Sequence, residues 1–260
     1  MSLIVFNKDT VMNETMKTLL EHRTIRKYSD KIVDEKILEQ ILLAAVRGST
    51  TGNMQPYSII VNRDKGMKEK VAPFHFNQKA VTEAPVLLTF CADFNRFLKW
   101  CKQRDAATDG FSNMQCFMWG TIDAVIATQN ACIAAESFGL GICYMGTVTY
   151  NAKELAEVYQ LPKHVVPVTC ITLGYPAENP PLTDRLPLGA VVHNEVYKDY
   201  TPQNIEALYA EKEDLELTKR LLKENQLDNL AKIFTEKRYT KKDNEHFAKR
   251  FMDFVKEQGF

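Results

Sequence analysis

Six cysteines occur in the 260 residues, and none stands two residues from another. Cys91, Cys101, Cys116, Cys132, Cys143 and Cys170 are scattered singly, so neither a zinc ribbon nor a thioredoxin-type dithiol is written here. The simplest reading is reduced thiols, most of them buried as small apolar side chains in a cytoplasmic protein. The five histidines, His22, His75, His164, His193 and His246, are equally dispersed and show no ligand spacing, so no metal site is expected. Most of them read as surface residues or as satisfied core residues. G-x-S-x-G, H-E-x-x-H and the P-loop are all missing, which removes the hydrolase elbow, the zinc protease helix and the nucleotide-triphosphate cradle. Charge of one sign is missing too: Lys+Arg and Asp+Glu number 33 each, so no global field argues for nucleic acid. No window approaches ~18 uninterrupted apolar residues, so no membrane span is expected. The opening "MSLIVFNKDTVMNE" has neither a basic leader nor a long apolar run, and no signal peptide is expected there.

With 45% hydrophobic residues, the chain can bury a substantial core as one large domain or one domain with an appendage. Apolar residues at Met12, Met16, Leu19 and Leu20 have helical spacing. Asp34 is an N-cap for a second helix that turns Ile37, Leu38, Ile41, Leu42 and Ala45 inward. "YSIIVNR" and "VLLTFCAD" read as strands with a short polar helix between them. Residues 119–138 are apolar nearly all round, the mark of a central helix packed on several sides. "GLGICYMGTV" and "VVPVTCITLGYP" contribute two further strands. From residue 201 the composition shifts to Lys, Glu and Leu with no strand signal. Helices and strands alternate without a regular βαβ rhythm, so the expected class is α+β, a mixed sheet flanked by helices, with a helical C-terminal extension. The expected division is residues 1–200 as core and 201–260 as extension.

Four segments carry the chemistry. "EHRTIRKYSD", residues 21–30, packs His22, Arg23, Arg26 and Lys27 around Thr24 at the end of the first helix. Two readings are open: cations complementing a helix C-terminus, each contributing about 0.3–1 kcal/mol, or an anion site in which guanidinium forks share a phosphate. "GSTTGNMQP", residues 48–56, is an ordinary turn or a pocket lining that stacks Ser49, Thr50, Thr51, Asn53 and Gln55. "GLGICYMGT", residues 139–147, is no dinucleotide fingerprint. Its glycines leave a helix and enter a strand, and Tyr144 stands where the third glycine belongs. Gly139 reads as a helix C-cap, while Gly141 and Gly146 let a flat ligand approach the backbone. "GYPAENPPLTDRLP", residues 174–187, is proline-rich and fixes a single guanidinium, Arg185. A phosphorylated ligand without a protein nucleophile points to chemistry carried by a cofactor.

In this order the segments resemble the nitroreductase family of FMN-dependent oxidoreductases, in its branch of oxygen-insensitive NADPH nitroreductases and flavin reductases. "HRTIRKYSD" is similar to that family's H-R-S-I-R-x-F signature, and "STTGNMQPYSII" to its serine-rich S-S-x-N-x-Q-P-W loop. "NQKAVTEAPVLLTFCADFNR", "QNACIAAESFGLGICYMGT", "LGYPAENPPLTDRLP" and "VVHNEVY" continue the likeness, which weakens after residue 201. The resemblance implies a homodimer with FMN at the interface, reduced by NADPH or NADH and reoxidised by a small-molecule acceptor in ping-pong order. Nitroaromatics, quinones and free flavin are the implied acceptors. It places His22, Arg23, Thr24, Arg26 and Arg185 at the phosphate and ribityl end. Thr50, Thr51 and Asn53 would lie along the ribityl chain, Gln78 at the ring, and Tyr144, Met145, Gly146 and Thr147 under it through the backbone. No side chain is assigned as catalytic acid or base. Where the branch often carries Lys-Pro-Arg, this chain has Thr183, Asp184 and Arg185, which implies weaker FMN binding or compensation by Arg26 or Lys27. The rival expectations are a flavin-binding protein that is no reductase, and a same-fold flavoenzyme with another reaction, dehalogenation or flavin fragmentation.

Overall fold

The computed structural model describes residues 12–260; the reading of the first fourteen residues as free of a leader lies, for residues 1–11, outside the described residues. The chain divides into two compact units, one of Asn13–Pro181 with Phe247–Phe260 and one that includes Leu182–His246.

In the first unit, α1 (Glu14–Leu20) is capped by Asn13, and α2 (Glu35–Ala45) by Asp34, whose carboxylate accepts from the Lys36 amide. Leu38, Ile41 and Ala45 of α2 are buried, as its periodicity requires. β1 (Tyr57–Asn62), α3 (Lys65–Val71), α4 (Lys79–Glu83), β2 (Val86–Asp93) and α5 (Asn95–Gln103) follow. Then come α6 (Met114–Ser137), β3 (Gly141–Tyr144), α7 (Ala152–Val158) and β4 (Val165–Gly174). The four described strands run in the order β1-β2-β4-β3, each pair antiparallel. A parallel bridge from Thr24 to Ile142 continues the sheet past β3 and makes it mixed. All eight residues of β2 are buried, which accounts for a largely apolar sequence, broken only by Thr89 and Asp93, rather than an alternating one. The β2–β4 register shifts at Phe90/Cys91, bringing Pro167 opposite Cys91. A bulge is where a strand tolerates a residue without an N–H.

Helix α6 lies on this sheet. It starts at Met114, five residues before the apolar run suggests, because the Asn113 side chain accepts from the Cys116 amide and caps it there. Gly120 permits the contact: a Cβ there would stand 2.9 Å from the Pro56 carbonyl oxygen and 3.0 Å from the Ala92 Cβ. The helix is not covered all round, however. Met118, Ile122 and Val125 are 45%, 48% and 44% exposed along one stripe. Gly139, at φ +72°, ends the helix as its glycine predicts.

In the second unit, α8 (Pro202–Asp214) begins with a capping box between Thr201 and Asn204. α9 (Glu216–Asn225) and the single turn α10 (Leu230–Lys232) follow, and α10 runs into a π-helical turn, Ile233–Arg238. α11 (Lys241–Glu257) starts in this unit and ends in the first, where Phe254 and Val255 enter the main core. No helix among the described residues is long and apolar enough to cross a membrane.

Candidate functional site

The cation-rich segment leaves α1 and becomes an extra edge strand. The Ile25 amide donates to the Ile142 carbonyl at 2.9 Å, laying residues 23–26 alongside β3. Gly141 makes this approach possible: a Cβ on it would meet Ile25 Cγ1 at 2.4 Å and Cβ at 2.6 Å. On its other side the segment is tied to residues 175–178. Ser29 donates to the Tyr175 carbonyl and Ala177 to that of Lys27, both at 2.9 Å. The Arg26 and Lys27 amides donate to Glu178 Oε1 at 2.7 and 3.0 Å. The Arg26 amide is foremost in holding the Glu178 carboxyl below the usual range. Tyr28 closes the segment from below, donating to the Ile25 carbonyl and sharing a 2.7 Å hydrogen bond with Thr172.

Within this frame His22 Nδ1 lies 2.6 Å from Glu136 Oε1 on the last turn of α6. Arg23 donates from one terminal nitrogen to the Glu21 carbonyl, and its Nε is buried with no hydrogen-bond partner among the described residues. A buried guanidinium nitrogen left in this state carries a desolvation cost that an anionic ligand would relieve. Arg26 and Lys27 are exposed beside it.

The loop of residues 48–56 is held to the same helix at another level. The Thr51 amide donates to both carboxylate oxygens of Asp123, at 3.0 and 3.1 Å, and its hydroxyl donates to Oδ1 at 3.0 Å. Asp123 is 1% exposed; burial raises its pKa, and the Thr51 bonds pull the other way. Gly52, Asn53 and Gln55 all have positive φ, and the Arg96 guanidinium closes the loop by donating to the Gln55 carbonyl. Thr50 is half-buried and Asn53 is exposed, with its side-chain oxygen accepting from Gln55 Nε2 at 3.2 Å.

A third pair of segments meets at His75 and Thr147, which share a 2.8 Å hydrogen bond between Nδ1 and Oγ1. Asn151 adds a bond to the Phe74 carbonyl at 2.8 Å. The chain then turns through two left-handed residues, Phe76 and Asn77, and presents Gln78 exposed at the start of α4. His75 is fully buried, its Nε2 has no partner among the described residues, and burial depresses its pKa to about 4. Tyr144 is exposed and donates to Gln129 Oε1 on α6 at 3.3 Å. The Met145 amide is committed to the Cys170 carbonyl at 2.9 Å. Gly146 is exposed, and a Cβ on it would meet nothing within 4 Å.

The structure therefore lays Thr24 to Arg26 alongside β3, the strand that runs on into Tyr144 to Thr147, with His22 and Arg23 at the start of the same segment. Thr50, Thr51 and Asn53 are held elsewhere: Asp123 and Glu136 are ~20 Å apart along α6 at 1.5 Å per residue. Arg185 belongs to the second unit, where it is exposed and donates to the carbonyls of Thr183 and Asp184. The carboxylate gained at Asp184 is paired there with Lys212 Nζ at 2.5 Å. Sequence reasoning passed over Asp123, Glu136, Glu178 and His75. A single carboxylate inside the apolar run "TIDAVIA" was a usable signal for Asp123; nothing local marks the other three.

The chain is similar to known proteins over most of its length. The model of the nitroreductase family matches residues 19–175. An FMN reductase (NAD(P)H) of Bacillus subtilis strain 168 is 38% identical over 187 residues, covering 72% of this chain and 75% of its own. An oxygen-insensitive NADPH nitroreductase of Salmonella typhimurium is also 38% identical over 187 residues, covering 72% and 76%. A Bacteroides fragilis NCTC 9343 protein known from its crystal structure superposes with a TM-score of 0.92 at 46% identity, over 94% of this chain and 99% of its own. On these likenesses the chain belongs to the nitroreductase family.

Proposed function

We propose that the chain is an FMN-dependent NAD(P)H oxidoreductase that passes two electrons to flat, electron-poor acceptors such as nitroaromatics, quinones or free flavin. The observation that carries this reading is the buried Nε of Arg23, without a hydrogen-bond partner among the described residues, inside a cationic strand fixed against β3. A phosphate monoester dianion fits such a donor set, and the open face at Gly146 leaves room for a planar ring to reach the backbone. His22, Arg23, Thr24 and Arg26 hold the phosphate end. Gln78, Tyr144, Gly146 and Thr147 face the ring, while Met145 fixes the strand through its bond to Cys170.

Bound FMN supplies hydride uptake from NADPH or NADH and two-electron delivery to the acceptor, donor and acceptor using one place in turn. The residues of the chain position and tune. Amides and the Gln78 side chain would be the donors available to negative charge on a bound flavin, on the logic of an oxyanion hole. No side chain is required to move a proton that water cannot.

A second copy of the chain completes the site. The Thr50–Asn53 loop lies too far along α6 to serve the phosphate cluster of its own chain, and the uncovered stripe at Met118, Ile122 and Val125 offers the apolar face for pairing. The flavin-binding core falls within residues 1–200, and of the helical extension, residues 201–260, the part before residue 247 packs on the partner while Phe254 and Val255 enter the core of their own chain. Six unpaired thiols suit a reducing cytoplasm.

The test is the visible spectrum of the purified chain, followed by anaerobic addition of NADPH and of NADH. A flavin band that bleaches with one or both is the expected result. A flavin band that persists would make the protein a binder rather than a reductase, and no band after incubation with FMN would remove the site.

A further inference from the structure

Two tight turns meet next to Gly146. In one, the Gln78 amide donates to the His75 carbonyl at 3.2 Å; in the other, the Tyr150 amide donates to the Thr147 carbonyl at 3.1 Å. The 2.8 Å bond between His75 and Thr147 joins the turns at their first residues. Asn151, just past the second turn, donates to the Phe74 carbonyl, just before the first, at 2.8 Å. Gln78 and Thr147 face the ring site proposed above, so Phe76 and Tyr150 stand within one turn of it.

Phe76 is 54% exposed and sits at φ +54°, followed by Asn77 at φ +52°. Two successive non-glycine residues in the left-handed region carry a backbone cost, which persists only where surrounding contacts over-determine the conformation. Here those contacts are aromatic. Tyr150 stacks on Phe247 of α11, with 4.4 Å between ring centroids and 19° between planes. The Phe76 ring leans on both, 6.2 Å from Tyr150 and 6.5 Å from Phe247. Arg250, one turn further along α11, donates to the Asn151 side chain at 3.4 Å and pairs with Glu154, which fixes Phe247 behind Tyr150. An exposed aromatic alone means little; one braced from behind on a strained backbone offers a ring face at a defined place. Residues 75–78 and 147–150 include no lysine or arginine, so the turns offer no contact for the pyrophosphate of NADPH or NADH.

We propose that Phe76 is a specificity-determining residue whose free face stacks on the planar acceptor beyond the edge of the flavin. Tyr150 and Phe247 are positioning residues that act through it. The platform favours acceptors with a ring over acceptors without one. This role requires the flavin reductase proposed above.

The readout is the ratio of kcat/KM for menadione, a planar quinone, to kcat/KM for ferricyanide, an octahedral anion, with rates taken per bound flavin. In Phe76→Ala the ratio should fall about two- to twelvefold, the range for losing one aromatic pair. Phe76→Tyr, which keeps the ring, should keep the wild-type ratio. Tyr150→Leu should lower the ratio by less. Added to Phe76→Ala it should change nothing further, because the support then has no ring to hold. A general loosening of the fold lowers both acceptors together and does not produce this pattern.

Equal losses on both acceptors, or no loss on either, would overturn the proposal. A raised KM for NADPH with an unchanged acceptor ratio would give the ring to the donor and overturn it too. So would a Phe76→Ala protein whose one change is its oligomeric state, since Phe76 would then be an interface residue. If Phe76→Ala does not fold, Phe76→Leu, which keeps apolar bulk without a π-face, takes its place with the same outcomes. A wild type that binds no FMN, or whose flavin stays oxidised with NADPH and NADH, removes the flavin reductase itself. A wild type that reduces both acceptors leaves the ratio to decide the role of Phe76 alone.

Discussion

At the scale of single residues, burial decides the chemistry of the titratable groups. Burial pushes the Cys132 and Cys170 thiols up to about 12, so these cysteines are protonated packing residues at neutral pH. His75 is shifted in the opposite sense to about 4, from a usual 6.5, since burial penalises its charged form. A base whose folded pKa lies below its unfolded pKa takes up its proton first in the unfolded chain. Its contribution to stability is therefore intact above about pH 6.5 and is lost progressively as the pH falls toward 4, with no further loss below. Across that window the wild type should lose roughly 3 kcal/mol more than a His75→Gln variant. Urea unfolding of both proteins at pH 7 and pH 4 measures the difference, and equal losses would contradict a buried neutral imidazole. The same histidine read from sequence is one of five dispersed residues, because nothing near it in the chain announces Thr147, its partner across the fold.

At the scale of elements, two glycines in one strand region have separable roles. A methyl group at Gly141 would collide with Ile25 and force the cationic strand away from β3. Gly141→Ala should cost about 1–3 kcal/mol, the range for overpacking, and should weaken FMN binding at the same time. Gly146→Ala meets no neighbouring atom, so its melting temperature should match the wild type while FMN affinity falls. Thermal unfolding of the apoprotein together with FMN titration separates the two. A stable Gly141→Ala protein with full affinity would mean that the 24–142 bridge does not position the cluster. These elements also mark how far the sequence was legible. Local signals sufficed for α2, from the Asp34 cap and its 3.6 period, for the buried strand β2, and for the Gly139 helix stop. They misplaced the start of α6 because Asn113 lies outside the apolar run. They were silent on what holds the site: the clamps at Asp123, Glu136 and Glu178 join residues between 72 and 152 positions apart, and no local pattern encodes such pairs.

At the scale of the whole molecule, α6 reads as apolar on nearly every side, yet in the single chain one stripe of it faces outward. The pattern cannot distinguish a face covered by its own fold from a face covered by another copy, since both demand the same residues. Met118, Ile122 and Val125 recur at the spacing of one helix face, and Leu43 of α2 and Val46 just past its end are 57% and 46% exposed. A stable interface buries about 1,600 Å² in total and places apolar residues at its centre. Ile122, in the middle of the stripe, is therefore the position at which a charge should act most. In a monomer, Ile122→Arg is a surface change within about 0.5 kcal/mol, so the chain should still fold. In a dimer it buries a guanidinium without a partner and should abolish pairing. The expected result is a wild type that scatters light as a dimer at micromolar concentration and a variant that scatters as a folded monomer. On the proposal that the second copy completes the site with the Thr50–Asn53 loop, the monomeric variant should also lose bound FMN, and its melting temperature should no longer rise when FMN is added. A dimeric Ile122→Arg protein with full flavin would move the interface to another face, whereas a monomer that keeps its flavin would mean that one chain holds the cofactor alone.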